Sequence, residues 1–399
     1  MTRLSTDILI SGGGVAGLSA AVAFGNAGFS VICVDPSAPV TDRQAAGADL
    51  RSTAFLQPSV DLFRDCGLWD RLASFAAPLQ IMRIVDAGGV AGEARLTKDF
   101  DAAEISDQPF GYNLPNWLLR REMLGALTRL PNVTFLPGVA TASVLTRETE
   151  ALVSLSNGQR VSARMLIGAD GRASSVRAAL GIGVTTTRYG QKALAFTVSH
   201  PIPHDNVSTE VHRSGGPFTL VPLPDHEGLP ASAVVWMERG PEVERLRALP
   251  EAEFNAEMSL RSCHVLGPLS RNSALTVWPI ISQIADRMTA ERTALMAEAA
   301  HVMPPIGAQG LNMSLADLAC LLDLAQADRE GLGGPAMLDA YQRKRHLDIK
   351  ARVAGVDALN RTSMIGTPAL RDLRAGMLNA LYSLRPIRKT LMHAGLGLR

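Results

Sequence analysis

Three glycines near the N-terminus have the spacing of a dinucleotide-binding turn. Gly12, Gly14 and Gly17 form the pattern G-x-G-x-x-G, and an acidic residue, Asp35, follows at the end of the next apolar run. In this pattern the first glycine permits a tight turn, the second lets the backbone approach a diphosphate, and the third lets a helix pack closely. The acidic residue accepts hydrogen bonds from ribose hydroxyls. The spacing therefore predicts a site for an adenine dinucleotide.

A second candidate motif is "GADGRASSVR", residues 168–177, which follows the apolar run "ARMLI". Asp170 would stand at the end of a strand, where the ligand crevice of a parallel sheet opens. An ordinary Asp-Gly turn is the alternative interpretation, because this pair is common in turns.

A third motif is "AEAAHVMPPIGAQGLN", Ala297 to Asn312, which runs into a helix-like segment. Glu298 is a candidate for holding sugar-like hydroxyls. The backbone N–H groups of Leu311 and Asn312 would stand near a helix start, where they are free to bind an electron-rich oxygen. His301 is a candidate base, but a structural role is expected for it.

The elements that must position these motifs begin with the order strand, turn, helix, strand. Ile8–Ile10 predicts the first strand, Leu18–Ala27 a helix, and Phe29–Val34 a second strand. Residues 8–34 carry no charge, a length that could also span a bilayer. We favour the strand–helix–strand interpretation, because the segment is rich in glycine and parallel strands are buried on both faces.

The rest of the chain alternates in character. Residues 50–76 are predicted to be helical, residues 190–280 to be rich in strands, and the chain from 312 onward to be mainly helical. Asn157-Gly158 between alternating runs predicts a hairpin. The pattern predicts an α/β fold in which a Rossmann-like domain is interleaved with a β-rich domain and followed by a C-terminal helical segment.

Composition excludes some function classes and leaves one question open. Aromatic residues make up only 5% of the chain, which argues against a nucleic-acid-stacking surface. The four cysteines are far apart and show no metal-ligand spacing, so no metal is expected and a reducing cytosol is indicated. Residues 340–399 carry twelve Lys and Arg against three Asp. This basic, apolar tail is either a solvated helical end or a contact with an anionic membrane or an acidic partner.

Together and in this order, the three motifs resemble those of the class A flavoprotein monooxygenases, the family of para-hydroxybenzoate hydroxylase. Within that family the chain is most similar to the ubiquinone-biosynthesis hydroxylases of the UbiH/UbiF type. The resemblance covers essentially the whole chain. It departs from the family's G-D-A-A-H-x-x-P-P-x-G-x-x-G-L-N at two positions, where Ala297 replaces Gly and Glu298 replaces Asp.

The resemblance implies site residues by match of motif. "DLRSTAF" (49–55) places Arg51 near the FAD phosphates or ribityl chain, and "GYNLPNWLLR" (111–120) places Arg120 against the cofactor. The carbonyl of Pro305 would face the reactive edge of the flavin. The remaining FAD-binding residues are Gly12, Gly14, Gly17, Asp35, Asp170, Glu298, Gly310, Leu311 and Asn312.

The resemblance also implies domains. The FAD-binding domain is predicted at 1–75, 110–185 and 281–335, the β-rich substrate domain at 76–109 and 186–280, and a basic, amphipathic helical segment at 336–399.

The implied activity is hydroxylation of a phenolic ring by FAD with NAD(P)H and O₂, through a flavin C4a-hydroperoxide. A polyprenylated phenol of ubiquinone biosynthesis is the expected substrate. The protein would be cytoplasmic, and peripheral on the inner face of the membrane or in a quinone-biosynthesis complex through its basic tail. Two alternatives remain: a related FAD enzyme such as a prenyl-chain reductase, and a non-catalytic lipid-binding or assembly member of such a complex.

Overall fold

The computed structural model describes residues 3–89, 92–364 and 379–396, together with Asp372 and Gly376. The other positions of the predicted C-terminal segment lie outside the described residues. The strands in chain order are β1 (Arg3–Ser11), β2 (Val31–Asp35), β3 (Ser52–Leu56), β4 (Ala77–Leu79), β5 (Ile81–Asp86), β6 (Leu96–Asp101), β7 (Gly111–Pro115), β8 (Val133–Pro137), β9 (Thr141–Thr146), β10 (Ala151–Leu155), β11 (Arg160–Gly168), β12 (Val184–Ser199), β13 (Val207–His212), β14 (Pro217–His226), β15 (Leu229–Arg239), β16 (Ser270–Arg271), β17 (Thr276–Ala285), β18 (Thr289–Ala290), β19 (Thr293–Leu295) and β20 (His301–Val302).

The α-helices follow the same order along the chain. They are α1 (Val15–Asn26), α2 (Gln57–Asp65), α3 (Trp69–Leu72), α4 (Asn116–Leu127), α5 (Ser175–Ala179), α6 (Gly240–Arg247), α7 (Glu251–Arg261), α8 (Gln309–Ala327), α9 (Pro335–Ser363) and α10 (Arg385–Leu396).

The cofactor-type sheet is built around β1. β1 pairs in parallel with β2 on one side and β11 on the other, and the path continues to β8 and β19. Ile8, Leu9 and Ile10 have no exposed surface, because β1 is central and covered on both faces. The charge-free segment is therefore β1, α1 and β2, as the sequence predicts. No helix in the described ranges is long and apolar enough to cross a membrane.

A second, largely antiparallel sheet supplies the β-rich part, with the strand order β20-β17-β12-β15-β14-β13-β5-β6. Its strand β12 alternates between two environments, as side chains of a strand must. Leu194, Phe196 and Val198 pack with α6 and α7 in one hydrophobic cluster, whereas Ala193 belongs to the main core. β12 and β17 run without interruption through positions 186 and 281, so the domain boundaries at these positions remain a proposal.

One secondary-structure prediction is wrong in part. Residues 50–76 do contain α2 and α3, but Ser52–Leu56 forms β3 instead of helix. β3 pairs with β7 in a small three-stranded sheet with β4. The helical pattern failed there because strand pairing with a partner about sixty residues away outweighs local propensity.

Candidate active site

A cavity of about 560 Å³ lies at the carboxyl ends of β1, β2 and β11, where the three sequence motifs meet. This is the position at which parallel sheets bind ligands. Nine of the twelve predicted site residues line it: Gly12, Gly14, Asp35, Arg51, Arg120, Asp170, Glu298, Gly310 and Leu311. The other three, Gly17, Pro305 and Asn312, are not part of its wall.

The glycine turn is shaped by close backbone contacts. Gly12 has a φ of +114°, and a Cβ atom on it would lie 2.2 Å from the carbonyl oxygen of Ala169. A Cβ on Gly17 would lie 1.9 Å from the carbonyl oxygen of Gly12. The absence of a side chain at Gly17 therefore lets α1 pack closely against the turn. Gly14 differs, because a Cβ there would meet no protein atom within 4 Å. The space beside Gly14 is the cavity itself, at the N-terminus of α1.

Asp35 is the last residue of β2, and its carboxylate stabilises the glycine turn through a hydrogen bond. Its Oδ2 accepts a hydrogen bond from the backbone N–H of Gly13 at 2.6 Å, and its Oδ1 accepts one from Ser37 at 2.8 Å. Each carboxylate oxygen can accept further bonds. Asp35 can therefore hold the loop and still accept hydrogen bonds from ribose hydroxyls in the cavity.

Sequence reasoning missed Asp49, which organises both predicted arginines. Arg51 forms a forked pair with Asp49, with Nε and Nη2 each donating at 2.7 Å. Arg120 and Asn116 donate to the same carboxylate at 3.3 and 3.1 Å. Burial would raise the pKa of Asp49, but Arg51, with Asn116 and Arg120, lowers it below its ordinary value. The spacing Asp-x-Arg was the available signal, because such short spacings allow a forked pair.

Asp170 lines the cavity and also binds the first turn of α5. Its carboxylate accepts hydrogen bonds from the hydroxyls of Ser174 and Ser175 and from the backbone N–H of Val176. The turn interpretation and the ligand interpretation are thus compatible. Arg177, on the same short helix, is buried and donates to the carbonyl oxygen of Ala299 at 2.8 Å, which ties this motif to the third one.

The third motif reaches the cavity through a short 3₁₀ turn, Ala297–Ala299, followed by β20. Ala297 has a φ of +56°, the left-handed region that glycine would adopt without strain. Glu298 projects from this turn into the cavity. Gly310 and Leu311 lie in the first turn of α8, whose backbone N–H groups have no helical partners.

Asn312 acts through its side chain, a role that the sequence did not suggest. Its Oδ1 accepts hydrogen bonds from the backbone N–H of Leu56 at 2.8 Å and from the hydroxyl of Ser59 at 2.7 Å. Its Nδ2 donates to the carbonyl oxygens of Ala54 and Ala308. Asn312 therefore joins α8 to β3 and α2. The predicted role of its backbone N–H remains a proposal.

His301 lines the cavity, but its Nε2 is occupied by a buried hydrogen bond with Asp317. Its Nε2 lies 2.6 Å from Oδ2 of Asp317, and Nε of Arg345 donates to Oδ1 of the same residue at 2.8 Å. Burial would raise the pKa of Asp317, but His301 and Arg345 outweigh it and hold that pKa below its usual range. The arrangement favours the structural role expected for His301. Asp317 and Arg345 gave no signal in the sequence, since they lie 16 and 44 residues from His301.

Comparison with known proteins identifies the family. Residues 5–355 match the FAD binding domain family. The chain is 35% identical over 395 residues to the ubiquinone hydroxylase UbiL of Rhodospirillum rubrum, covering 98% of this chain and 89% of that protein. It is 27% identical to the 3-demethoxyubiquinol 3-hydroxylase of Escherichia coli, with all of both chains covered.

The protein belongs to the FAD-dependent monooxygenases.

A solved structure supports the fold of this flavoenzyme. The p-nitrophenol 4-monooxygenase of Pseudomonas putida superimposes with a TM-score of 0.80, at 20% identity and with all of both chains covered. The fold class expected from the sequence, an α/β FAD-binding domain combined with a β-rich part and C-terminal helices, is confirmed.

The residues of the cavity fit FAD. The open space beside Gly14 and the N-terminus of α1 suit a diphosphate, since free N–H groups and the helix dipole favour an anion there. Asp35 and Glu298 both line the cavity, and their carboxylates can accept hydrogen bonds from hydroxyl groups. Arg51 and Arg120 add positive charge to the same cavity.

Glu298 gives a direct test of the proposed contact with the ribityl chain. We expect Glu298→Ala to raise the Kd for FAD about tenfold, the effect of losing one charge-assisted hydrogen bond of roughly 1.5 kcal/mol. Glu298→Asp should be tolerated, because it keeps the carboxylate. Titration of the apo-protein with FAD measures both, and an unchanged Kd for Glu298→Ala would show that this side chain does not hold the cofactor.

Proposed function

We propose that this flavoprotein monooxygenase hydroxylates the ring of a polyprenylated phenol in ubiquinone biosynthesis. The two relatives compared above are named a ubiquinone hydroxylase and a 3-demethoxyubiquinol 3-hydroxylase, and they align over nearly the whole chain, which supports this proposal. FAD, reduced by NAD(P)H, supplies the oxygen-transfer chemistry with O₂ when it is bound.

One observation carries the choice of substrate site. A second cavity, of about 210 Å³, shares a wall with the first. Along this wall, neighbouring residues face opposite sides: Leu50 lines the second cavity while Asp49 and Arg51 line the first. Likewise Trp117 lines the second and Asn116 the first. The segments 49–51 and 115–117 therefore contribute to the walls of both cavities.

The second cavity suits a ring-bearing ligand with polar substituents, because Arg43, Arg121, Asp225 and His226 line it together with apolar side chains. Its wall combines the rings of Phe75 and Trp117 with Leu223 and with the small side chains of Thr197 and Ala231. Ala231 and Thr197 belong to neighbouring strands of the antiparallel sheet, so the sheet leaves room where larger side chains would fill it. The protein's part is to place the ring, orient it and exclude water.

The activity test uses the purified holoenzyme, NADH or NADPH, and a short-chain prenylated phenol. Product that contains one oxygen atom from ¹⁸O₂ for each NAD(P)H consumed supports the proposal. A product with a reduced prenyl chain and no added oxygen would support the prenyl-chain reductase. A protein that binds FAD but neither consumes NAD(P)H nor changes the phenol would support the assembly role.

We further propose that α10 brings the protein to an anionic membrane surface, in the cytoplasm. Ile387 and Leu391 are exposed on one face of the helix, and the exposed Leu381 and Leu384 precede its first residue. On the opposite side Met392 and Leu396 are buried in a small hydrophobic cluster. The basic charge of residues 340–399 complements an anionic lipid surface.

This proposal predicts loss of vesicle binding when the exposed face becomes polar. Replacement of Leu381, Leu384, Ile387 and Leu391 by Ser should reduce co-sedimentation with phosphatidylglycerol-containing vesicles at least tenfold, because each exposed aliphatic side chain would otherwise insert at the interface. The FAD content should stay unchanged, since the buried side of α10 is intact.

A matched control replaces four exposed aliphatic residues elsewhere, Leu145, Ile202, Leu229 and Leu347, and should bind vesicles as the parent does. Equal binding by parent, test variant and control would contradict the membrane contact and leave α10 as a solvated helical end. Point substitutions are preferred to deletion, because deletion would expose the cluster around Met392.

A further inference from the structure

The turn that carries Glu298 begins in a backbone conformation that is unfavourable for its residue. Ala297 has a φ of +56°, a region that residues with a Cβ seldom adopt. Ala297 is also buried, so the turn cannot relax into solvent. A conformation of this kind persists where the surrounding structure holds it in place.

One buried carboxylate holds this turn. Oδ2 of Asp317 accepts a hydrogen bond from the backbone N–H of Ala297 at 3.3 Å and lies 2.6 Å from Nε2 of His301. Nε of Arg345 donates to Oδ1 at 2.8 Å. The Asp317 side chain has no exposed surface and is not part of the cavity wall. Both of its oxygens are thus occupied by protein groups.

We propose that Asp317 is a positioning residue that keeps the left-handed turn at Ala297 and thereby directs Glu298 toward FAD. Arg345 keeps Asp317 in place and supplies the countercharge that its complete burial requires. This inference rests on FAD occupying the cavity and on Glu298 contacting it.

The same argument makes α9 part of the cofactor site, although no predicted motif lies on it. Besides Arg345, the hydroxyl of Tyr341 donates to the carbonyl oxygen of Leu295 at 2.9 Å. Oε1 of Gln342 accepts from the backbone N–H of Met288 at 2.7 Å. Two side chains of α9 therefore bind the segment that leads from β17 to the Glu298 turn, and a third, Arg345, acts on it through Asp317.

The test is a double-mutant cycle. For each variant, the Kd of the apo-protein for FAD is measured by quenching of flavin fluorescence. Asp317→Asn and Glu298→Gln should each raise the Kd about tenfold. The double variant should lose no more than about twentyfold, because Asp317 acts through Glu298. An additive, hundredfold loss would overturn the proposal.

Ala297→Gly provides a rescue that a general loss of packing would not show. Glycine adopts a φ of +56° without strain. Adding Ala297→Gly to Asp317→Asn should therefore lower the Kd for FAD of that variant at least threefold. In the parent protein, Ala297→Gly should change the Kd less than twofold. Absence of this rescue, in a variant whose circular dichroism matches the parent, would also overturn the proposal.

Arg345→Lys keeps the test decisive if Asp317→Asn does not fold. Lys retains the charge beside Asp317 but loses the forked guanidinium that also binds Asp348. We expect a two- to fivefold higher Kd that Ala297→Gly restores, and a Kd equal to the parent's would refute the role of α9. A parent protein that binds no FAD would instead refute the cofactor site, which is a separate outcome.

Discussion

Gly14→Val is expected to yield a folded protein that binds FAD at least a hundredfold more weakly. A Cβ at Gly14 meets no protein atom within 4 Å, so the substitution creates no clash in the polypeptide itself. The backbone at Gly14 has φ −69° and ψ 178°, which valine adopts readily. The added isopropyl group would fill the space beside the N-terminus of α1 that the diphosphate needs. A hundredfold loss corresponds to about 2.7 kcal/mol of binding free energy.

The measurement combines the flavin absorbance of the purified protein, the Kd of apo-protein for FAD, and circular dichroism. Gly14→Val should be colourless at parent-like secondary structure. Gly17→Val is the matched comparison, because its Cβ would lie 1.9 Å from the carbonyl oxygen of Gly12. That variant should fail to fold. A yellow Gly14→Val protein with the parent's Kd would show that the diphosphate does not pass this glycine.

The contrast between these two glycines shows what the sequence can predict. The G-x-G-x-x-G turn is a local unit: the spacing alone places one glycine at a tight turn, one at the ligand and one against the helix. The structure places Gly12 in a tight turn, Gly14 beside the cavity and Gly17 in close contact with Gly12, and the contact of Gly14 with the diphosphate remains a proposal. The same holds for β1 and β2, whose apolar runs fix both their type and their burial.

What the sequence did not reveal depends on residues that are far apart in the chain. Asp317 and Arg345 look like ordinary polar positions of two helices until the fold places them beside His301. β3 was missed for the same reason, because its backbone partners come from β7. Asp49 is the first residue of the segment DLRSTAF, yet its pairing with Arg120 joins positions 71 residues apart.

The electrostatic design of the cavity follows from these long-range contacts. Arg51 is held by Asp49, and the pKa of its guanidinium is raised chiefly by that hydrogen-bonded pair and further by the charge of Glu298. The charges of Arg51 and Glu298, which come from two different motifs, therefore attract each other within the cavity. The two motifs are separate in the sequence, whereas the cofactor site that we propose depends on both charges facing one cavity.

Asn312→Leu should destabilise the apo-protein by about 3–5 kcal/mol. The substitution leaves the backbone N–H of Leu56 and the carbonyl oxygen of Ala54 without their partner, and each buried unsatisfied group costs roughly 1–3 kcal/mol. The carbonyl of Ala308 and the hydroxyl of Ser59 lose partners as well. Because these bonds join α8 to β3, the first turn of α8 would also lose its place at the cavity.

Urea unfolding of apo-protein measures this loss, and two variants of graded severity serve as controls. Ser59→Ala removes one of the four hydrogen bonds and should cost about 1 kcal/mol. Asn312→Asp keeps the acceptor for Leu56 and Ser59 but turns a carboxylate toward the carbonyl oxygens of Ala54 and Ala308, so its cost should lie between the other two. If Asn312→Leu were no less stable than Ser59→Ala, the side chain would not be what holds α8 to β3. If Asn312 does hold α8 to β3, FAD affinity should fall in the same order as stability, because the N–H groups that we propose to meet the cofactor move with this helix start.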